Sequence, residues 1–313
     1  MNAPITTTAS DRSKYLGGSD AAAVMGLSPY ATPVELWMEK TGRKVREFDP
    51  ARQRILDRGK RLEPVILDMV IDKLREQGHT VEVIATNQRY PDAELPFLSC
   101  EIDFELLLDG EHINGDCKSV HGFARAKWGE EGTEEVPIEY AAQFMHGLGI
   151  TGRSRCLVAA LIGLDDVGIY WVNRDEETIA AMRAKCAAFW HDHVLADVPP
   201  DPIEYDDTKA LYPNDNGQTC EATEAIALLV AEYAELNERA KTIKDRVDDL
   251  KFRITEYISP HAALAYAGKT IATWKGQQTT RLDQDRLKKE QADLFKKYST
   301  TSTVRVFRLS KGK

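Results

Sequence analysis

The sequence of 313 residues lacks several features that would place it in a common class of protein. No stretch approaches the roughly 20 apolar residues that span a bilayer, and the first residues lack the apolar core of a secretory signal. The five cysteines form no C-x-x-C pair, and no glycine-rich phosphate loop of the Walker type occurs. These absences argue against a membrane protein, a disulfide scaffold, a structural zinc site and an ATP motor. We expect a soluble, cytoplasmic protein with reduced thiols.

Acidic residues outnumber basic ones, with 50 Asp and Glu against 41 Lys and Arg and a formal net charge of −9. The excess is unevenly distributed along the chain. Residues 259–313 hold 12 Lys and Arg against 4 Asp and Glu, a net charge of +8, which leaves −17 for residues 1–258. Because an acidic body carries a basic terminal module, the overall charge does not exclude a nucleic-acid partner.

Hydrophobic periodicity predicts an α/β (α+β) domain over residues 1–198. Residues 199–220, rich in Pro, Asp and Asn, indicate a linker, and residues 221–313 are expected to form a long amphipathic helix and a small basic module. This module is expected to be β-α-β-like, with strands near 270–274 and over 303–309 and a helix near 283–298 between them. Ser19 is a candidate N-cap of the first helix, while Gly59 and Pro64 are candidate breaks in the third, which is otherwise helical in pattern from Pro50 to Gln77. The expected helices of the domain cover 19–26, 32–42, 50–77, 137–152 and 175–195, and the expected strands 80–86, a hairpin over 98–118, 156–162 and 167–172.

The pair Asp109-Gly110 predicts a two-residue hairpin turn, because both central positions of a type I′ turn need positive φ. In that register Asp103 lies opposite Asp116, and Lys118 follows on the same polar face. Opposed carboxylates repel one another, and a hard divalent cation such as Mg²⁺ would offset the repulsion. A solvated hairpin face carrying ordinary surface residues is the alternative at this point.

Four ordered segments resemble the YqaJ-type viral recombinase family of phage lambda exonuclease-like proteins, which belongs to the PD-(D/E)XK nuclease superfamily. The similarity covers about residues 12–195 and implies a PD-(D/E)XK restriction-endonuclease-like core, with a mixed central sheet flanked by helices. The segments are Asp103 with Asp116-Cys117-Lys118, residues 16–30 (LGGSDAAAVMGLSPY), residues 58–64 (RGKRLEP), and residues 140–143 (YAAQ) with Thr151-Gly152.

This resemblance implies a deoxyribonuclease that digests double-stranded DNA from its ends in the 5′→3′ direction and leaves 3′ single-stranded overhangs for phage-type homologous recombination. One or two Mg²⁺ ions, which Mn²⁺ could replace, would be the cofactor. The resemblance also implies a ring-shaped homotrimer, a single-strand annealing protein as partner, and the cytoplasm of a bacterial host. The alternatives are a structure-specific or nicking DNA endonuclease on the same core, and a non-catalytic DNA-binding or adaptor protein.

The family's functional residues transfer to this sequence position by position. Asp116 is shorter by one methylene than the commoner Glu of the motif, and Asp92, which stands where the family has a further acid, is equally well explained as part of a turn. The implied metal ligands are Asp103, Asp116, Glu63 and the backbone carbonyl of Cys117; Lys118 would position or activate water, Gln143 would contact the site, and Arg12 and Ser19 would bind a terminal 5′-phosphate.

Overall fold

The computed structural model describes residues 12–45, 47–163 and 166–310, and the chain divides into two compact units. The first unit ends at Leu211, beyond the predicted boundary at residue 198, so part of the segment 199–220 belongs to it. Buried Asp207 ties this part to the first unit, because its carboxylate accepts hydrogen bonds from the Thr32 hydroxyl at 2.5 Å and the Ile203 amide at 3.0 Å.

The first unit contains six α-helices and five strands within the described residues. No helix in the described part of the chain combines the length and apolar character needed to cross a membrane. In chain order the elements are α1 (Gly18–Val24), α2 (Pro33–Lys40), α3 (Pro50–Glu76), β1 (Val81–Pro91), β2 (Ser99–Leu108), β3 (Glu111–Val120), α4 (Ile138–Thr151), β4 (Arg155–Ile162), β5 (Val167–Asn173), α5 (Glu176–Ala188), which a π-helical segment (Phe189–Leu195) continues, and α6 (Tyr205–Leu211).

The five strands form one mixed sheet in the order β1-β2-β3-β4-β5. Strands β3 and β4 are parallel and are joined through α4, while the other three neighbouring pairs are antiparallel. Alternate β4 residues face opposite sides of this sheet. Leu157 and Ala159 pack with α3, whereas Val158 and Ala160 pack with α4 and α5. The predicted fold class, a mixed sheet flanked by helices, is confirmed.

The hairpin between β2 and β3 has the predicted register. Leu108 pairs with Glu111, and the ladder continues to Phe104 opposite Gly115. Asp109 and Gly110 both have positive φ, at 50° and 86°, as a type I′ turn requires. Asp103 and Asp116 lie one position beyond the pair of Phe104 and Gly115. Because side chains alternate along a strand, both come to the same face of the sheet.

Two predictions about the helices are wrong. The N-cap of α1 is Gly17, not Ser19, and the Gly17 amide donates to the Asp20 carboxylate at 3.0 Å. Helix α3 is continuous from Pro50 to Glu76 and includes Pro64. Its C-terminal half packs against the sheet, and this packing offsets the backbone hydrogen bond that Pro64 cannot donate.

The second unit begins with the predicted long helix, α7 (Glu224–Ile258), which Thr223 caps by accepting a hydrogen bond from the Ile226 amide at 3.3 Å. A hairpin of β6 (Ala263–Tyr266) and β7 (Lys269–Thr273) and two short helices, α8 (Gln284–Glu290) and α9 (Ala292–Tyr298), follow. The predicted strand over 303–309 is wrong, because these residues do not join a sheet. Their β-branched alternation favours an extended conformation, but a strand also needs a pairing partner.

Candidate active site

Strands β2 and β3 bring Asp103, Asp116 and Lys118 together. The Cys117 amide donates a hydrogen bond to Asp103 Oδ2 at 2.9 Å, and Lys118 Nζ donates to Asp116 Oδ1. Asp116 is only 5% exposed. The Lys118 ammonium also lies 5.2 Å from the centre of the Tyr140 ring, which adds a cation–π contact. The hairpin therefore holds two acids and one lysine in a mostly buried site.

The acids and the lysine respond differently to this burial. Desolvation, together with the negative charge of Asp116, raises the pKa of Asp103 to about 7, and burial also raises the pKa of Asp116. Desolvation alone would lower the pKa of Lys118, but the charges of Asp116 and Asp103 outweigh it, so this pKa is raised. Lys118 is therefore a cation at neutral pH, and the carboxylates repel each other enough to favour an added positive charge.

Helix α3 brings Glu63 to the same place. The Cys117 thiol donates to the backbone carbonyl of Glu63 at 3.6 Å, which joins α3 to β3 beside the two acids. Burial and the charge of Asp103 raise the pKa of Glu63. The carboxyl group of Glu63 therefore lies within electrostatic reach of Asp103, as expected for a residue of the same site.

Helix α4 contributes Gln143, whose Nε2 donates to Asp116 Oδ2 at 3.2 Å. Gly18, in the first turn of α1, packs directly on this residue. A Cβ atom at Gly18 would lie 2.8 Å from Gln143 Cγ and 3.3 Å from the Gln143 carbonyl oxygen. A glycine is required here because α1 and α4 approach each other so closely.

Arg12 and Ser19 form a second part of the site. Arg12 Nη2 donates to Ser19 Oγ at 3.4 Å and lies 3.6 Å from Asp20 Oδ2. Asp20 is buried, and it also binds Lys40 Nζ at 2.8 Å. Lys40 Nζ donates further to the backbone carbonyls of Arg12 and Tyr15, both at 2.6 Å. A single buried ammonium thus fixes the segment that carries the Arg12 guanidinium.

A cavity of about 160 Å³ connects these two parts of the first unit. Its walls include Arg12, Ser19, Asp116 and Gln143. Glu101 also lines it and accepts a hydrogen bond from the Tyr15 hydroxyl at 3.4 Å. A guanidinium and a carboxylate therefore line one partly open cavity that is large enough for a small anionic group.

Residues 9–154 match the family model of the YqaJ-like viral recombinase domain. The match covers a little less than half of the 313 residues. The uncharacterized protein YqaJ of Bacillus subtilis (strain 168) is 26% identical to this chain over 304 residues, which are 95% of this chain and 91% of that protein. The family predicted from the sequence motifs is confirmed, and the similarity to YqaJ extends into the second unit.

Solved structures also resemble the YqaJ-like domain. An alkaline exonuclease (LHK-Exo) from Laribacter hongkongensis aligns with a TM-score of 0.44 and 20% identity, over 64% of this chain and 95% of that protein. A phage-related exonuclease from Haemophilus somnus 129PT aligns with a TM-score of 0.39 and 11% identity, over 58% of this chain and 96% of that one.

Asp92 has contacts of a different kind in the YqaJ-like domain. Its carboxylate forms a two-pronged ion pair with Arg183 on α5 and accepts the Glu94 and Leu95 amides, both at 2.9 Å. It is buried, and it does not line the cavity that holds Arg12 and Asp116. These contacts favour the turn interpretation of Asp92 over a role beside the other acids.

A buried polar network supports the strands of the YqaJ-like domain and was not predicted. Glu105 accepts hydrogen bonds from the Tyr90 hydroxyl at 2.6 Å and from Arg153 Nη2 at 2.8 Å. Arg153 Nη1 donates to Asn114 at 2.6 Å, and Asn114 donates to the Thr151 hydroxyl at 3.1 Å. The network connects β2, β3 and the end of α4, so the segment around Thr151 helps to hold the strands that carry Asp103 and Asp116.

The oxygen atoms around Asp103 and Asp116 suit a divalent metal ion. Asp103, Asp116 and the Cys117 carbonyl are hard oxygen donors of the kind that Mg²⁺ prefers. Burial raises the pKa of both acids, and the charges of Asp116 on Asp103 and of Glu63 on Asp116 raise it further, so a nearby cation would stabilise both carboxylates. Among the residues that the structure describes, no three His, Cys, Asp or Glu side chains lie close enough to hold a metal together. A divalent metal ion would therefore be bound by two carboxylates and a backbone carbonyl, with Glu63 nearby.

Proposed function

We propose that this chain is a phage-type DNA exonuclease that requires Mg²⁺ and digests double-stranded DNA in the 5′→3′ direction, leaving 3′ single-stranded overhangs. The observation that carries the proposal is the one cavity lined by both Arg12 and Ser19 and by Asp116 and Gln143. A terminal phosphate and the next phosphodiester of one strand carry their negative charges at opposite ends of a single nucleotide. This cavity offers a partner for each end.

The reaction that fits these groups is hydrolysis of the phosphodiester nearest to the 5′ end. A water oxygen attacks phosphorus, the bond from phosphorus to the 3′ oxygen breaks, and that oxygen takes up a proton. The released nucleotide keeps its 5′-phosphate, and the shortened strand begins with a new one. Because each cycle recreates the group that Arg12 and Ser19 would bind, the reaction can repeat along the strand.

The protonated ammonium of Lys118 would act on the negative charge that builds up at phosphorus during attack. Its raised pKa makes it a poor base but a persistent positive charge and hydrogen-bond donor. Gln143, bonded to Asp116, would hold that carboxylate in place and present its remaining amide atoms to water. Tyr140 limits the space around Lys118.

Mg²⁺ would be held by Asp103, Asp116 and the Cys117 carbonyl, with Glu63 as a further ligand, and Mn²⁺ could replace it. When bound, such an ion neutralises phosphate oxygens and lowers the pKa of water. Lys118 would have to share Asp116 with the ion, since Asp116 already accepts a hydrogen bond from Lys118 Nζ.

Duplex DNA would approach along the exposed half of α3 that leads to Glu63. Four exposed basic residues lie within eight positions of this helix, and contacts to phosphates from such residues supply sequence-independent affinity. As further parts of the proposal, three copies would form a ring and a single-strand annealing protein would receive the 3′ strand in a bacterial cytoplasm. The four basic residues are Arg54, Arg58, Lys60 and Arg61.

The decisive experiment follows linear duplexes labelled at the 5′ or the 3′ end of one strand, with Mg²⁺ or with a chelator. We expect the 5′ label to leave first, as a mononucleotide, and only in the presence of the metal. Asp116→Asn and Lys118→Met should lower the rate about 100-fold or more, because each removes a group acting on the charge at phosphorus. Glu82→Gln, on an exposed part of β1, is the matched control and should keep the parent rate.

Each alternative predicts a different result in this assay. Loss of the 3′ label first would contradict the proposed polarity. Cleavage of closed circular DNA at the rate seen for linear DNA would favour the endonuclease, and full activity in both Asp116→Asn and Lys118→Met would favour the adaptor.

A further inference from the structure

Helix α7 carries an apolar residue at the first and fourth positions of five consecutive heptads. A strict seven-residue repeat of this length indicates the seam of a left-handed coiled coil, about 50 Å long in a helix of 35 residues. We call this set the α7 seam. Its first positions are Ile226, Tyr233, Ala240, Val247 and Ile254, and its fourth positions are Leu229, Leu236, Ile243, Leu250 and Tyr257.

The α7 seam is exposed along its whole length. Its nine large side chains are between 42 and 78% exposed. Phe307 from the tail of the second unit meets Tyr233 edge-on, with 5.4 Å between ring centres, and Tyr233 still remains 46% exposed. A continuous apolar stripe of this size is a recognition surface rather than ordinary surface composition.

The charged residues of α7 are sorted by position around the seam. The charged residues that flank the seam are basic from Arg239 onward, and Glu232 is the one acidic residue among the flanking positions. The other acidic residues lie on the opposite face of the helix. One flanking cation, Arg246, reaches across to Asp249 at 2.8 Å. The basic flanking residues are Arg239, Lys244, Arg246, Lys251 and Arg253; the acids of the opposite face are Glu235, Glu238, Asp245, Asp248, Asp249 and Glu256.

This distribution opposes pairing of two copies of α7. In a parallel pair, Arg239 of one copy would face Lys244 of the other, and Arg246 would face Lys251. In an antiparallel pair each basic flank would face its own counterpart. Both orientations place like charges beside the seam, which is how coiled coils reject a wrong partner.

We propose that the α7 seam binds an amphipathic helix of a different protein, with apolar residues at its own first and fourth heptad positions and Glu or Asp at the flanking positions. Acidic flanks would pair with the basic ones of α7. Leucine at three of the five fourth positions and β-branched residues at three of the five first positions favour a two-stranded assembly. The surface lies in the second unit and is independent of the nuclease site.

The test uses the full-length chain and two synthetic 35-residue peptides with Ile and Leu at the seam positions. One peptide has Glu at every flanking position and the other has Lys. Fluorescence anisotropy should show the Glu peptide binding at least about tenfold more tightly, with an advantage that shrinks as salt increases. Equal binding of the two peptides, or no binding of the Glu peptide, would overturn the proposal.

Two variants separate the seam from general electrostatic attraction. The four-fold change Arg239→Glu, Lys244→Glu, Lys251→Glu and Arg253→Glu should reverse the preference toward the Lys peptide. Leu236→Asp with Ile243→Asp keeps every basic residue and should abolish binding of both peptides. Binding of the Glu peptide that survives this double change would contradict a role for the seam.

The oligomeric mass provides an independent outcome. The Leu236→Asp, Ile243→Asp variant should have the same mass by light scattering as the parent chain, and the same rate on linear duplex DNA. A fall in mass would mean that copies of this chain join through the seam, which would refute the proposed partner.

Discussion

Lys40 is buried and Lys118 is largely buried, and each binds an aspartate, Lys40 with Asp20 and Lys118 with Asp116. Around each ammonium group, carboxylate or carbonyl oxygens take the place of water. The free-energy cost of burying the ammonium group is offset only while its ion pair is intact. At the scale of single residues, the site is therefore sensitive to the loss of one charge even where that charge touches no substrate. Lys40 illustrates this, because it acts on Arg12 only through the backbone and through Asp20.

Lys40→Met should destabilise the first unit by about 3 kcal/mol or more, because Asp20 would lose its nearest cation while remaining buried. Burial alone would raise the pKa of Asp20, and Lys40 and Arg12 together lower it. We also expect the variant to lose its preference for 5′-phosphorylated ends, since Arg12 is no longer positioned. Calorimetry and the ratio of digestion rates on phosphorylated and unphosphorylated ends measure the two effects.

The double variant Lys40→Met, Asp20→Asn separates stability from positioning. Removing both charges should restore part of the free energy of unfolding, because no uncompensated charge stays buried. The phosphate preference should remain lost. If the double variant recovers that preference, Lys40 has only a structural role.

Asp92→Asn should lower stability without affecting the chemical step, because the contacts of Asp92 are with Arg183 and two backbone amides. Desolvation would raise the pKa of Asp92, but the bonds from Arg183 and the amides lower it below its ordinary value. The contribution of ionised Asp92 to the free energy of unfolding is therefore complete above about pH 4, the ordinary pKa of an aspartate. This contribution is lost as the pH falls through the lowered pKa of Asp92.

The measurement compares the free energy of unfolding of parent and variant over pH. The difference, about 3 kcal/mol at neutral pH for a broken buried pair, should narrow in acid as Asp92 of the parent becomes protonated. A loss of nuclease rate with unchanged stability would instead assign Asp92 to catalysis.

At the scale of elements, the prediction from sequence succeeded where the signal is local. The Asp109-Gly110 turn fixes the register of β2 and β3, and with it the meeting of Asp103 and Asp116. Lys40 was not predicted, because a lysine near the end of an amphipathic helix is ordinary until α2 packs against the segment around Tyr15. The strand expected over 303–309 failed for a related reason, since alternation does not supply a partner.

The contact between α1 and α4 gives a test at this scale. Gly18→Ala would place a methyl group 2.8 Å from Gln143 Cγ, so α1 or Gln143 must move. We expect the rate of DNA digestion to fall about tenfold or more, because displacements of about 1 Å at a reacting centre have effects of this size. Steady-state digestion of linear duplex at saturating Mg²⁺ measures it.

Gly59→Ala is the matched control. Gly59 lies inside α3, and a Cβ atom there would make only an ordinary contact, 3.8 Å from Ser119 Oγ. The variant should keep the parent rate and gain about 0.5–1 kcal/mol of stability from better helix propensity. A parent-like rate in Gly18→Ala would show that close packing at Gly18 does not position Gln143.

At the scale of the whole molecule, every candidate site residue lies in the first unit, whereas the α7 seam and the basic tail lie in the second. A chain ending at residue 211 should therefore fold with a single cooperative thermal transition and hydrolyse short 5′-phosphorylated duplexes at Asp116. It should fail to bind the acidic peptide. Circular dichroism on heating and the same labelled duplexes measure the outcome, and a non-cooperative transition would show that the first unit needs the second.

The parallel pairing of β3 with β4 also bears on how the protein acquires activity. Asp116 pairs with Val158, which lies 42 positions further along the chain, so the entropy of closing that loop must be overcome before the sheet is complete. The β2–β3 hairpin can form locally, but Gln143 reaches Asp116 only when α4 has crossed over and β4 has joined. Proteins with such non-local contacts fold slowly. A partly synthesised or partly folded chain therefore holds its acids without the groups that complete the site, and nuclease activity arises only with the finished sheet.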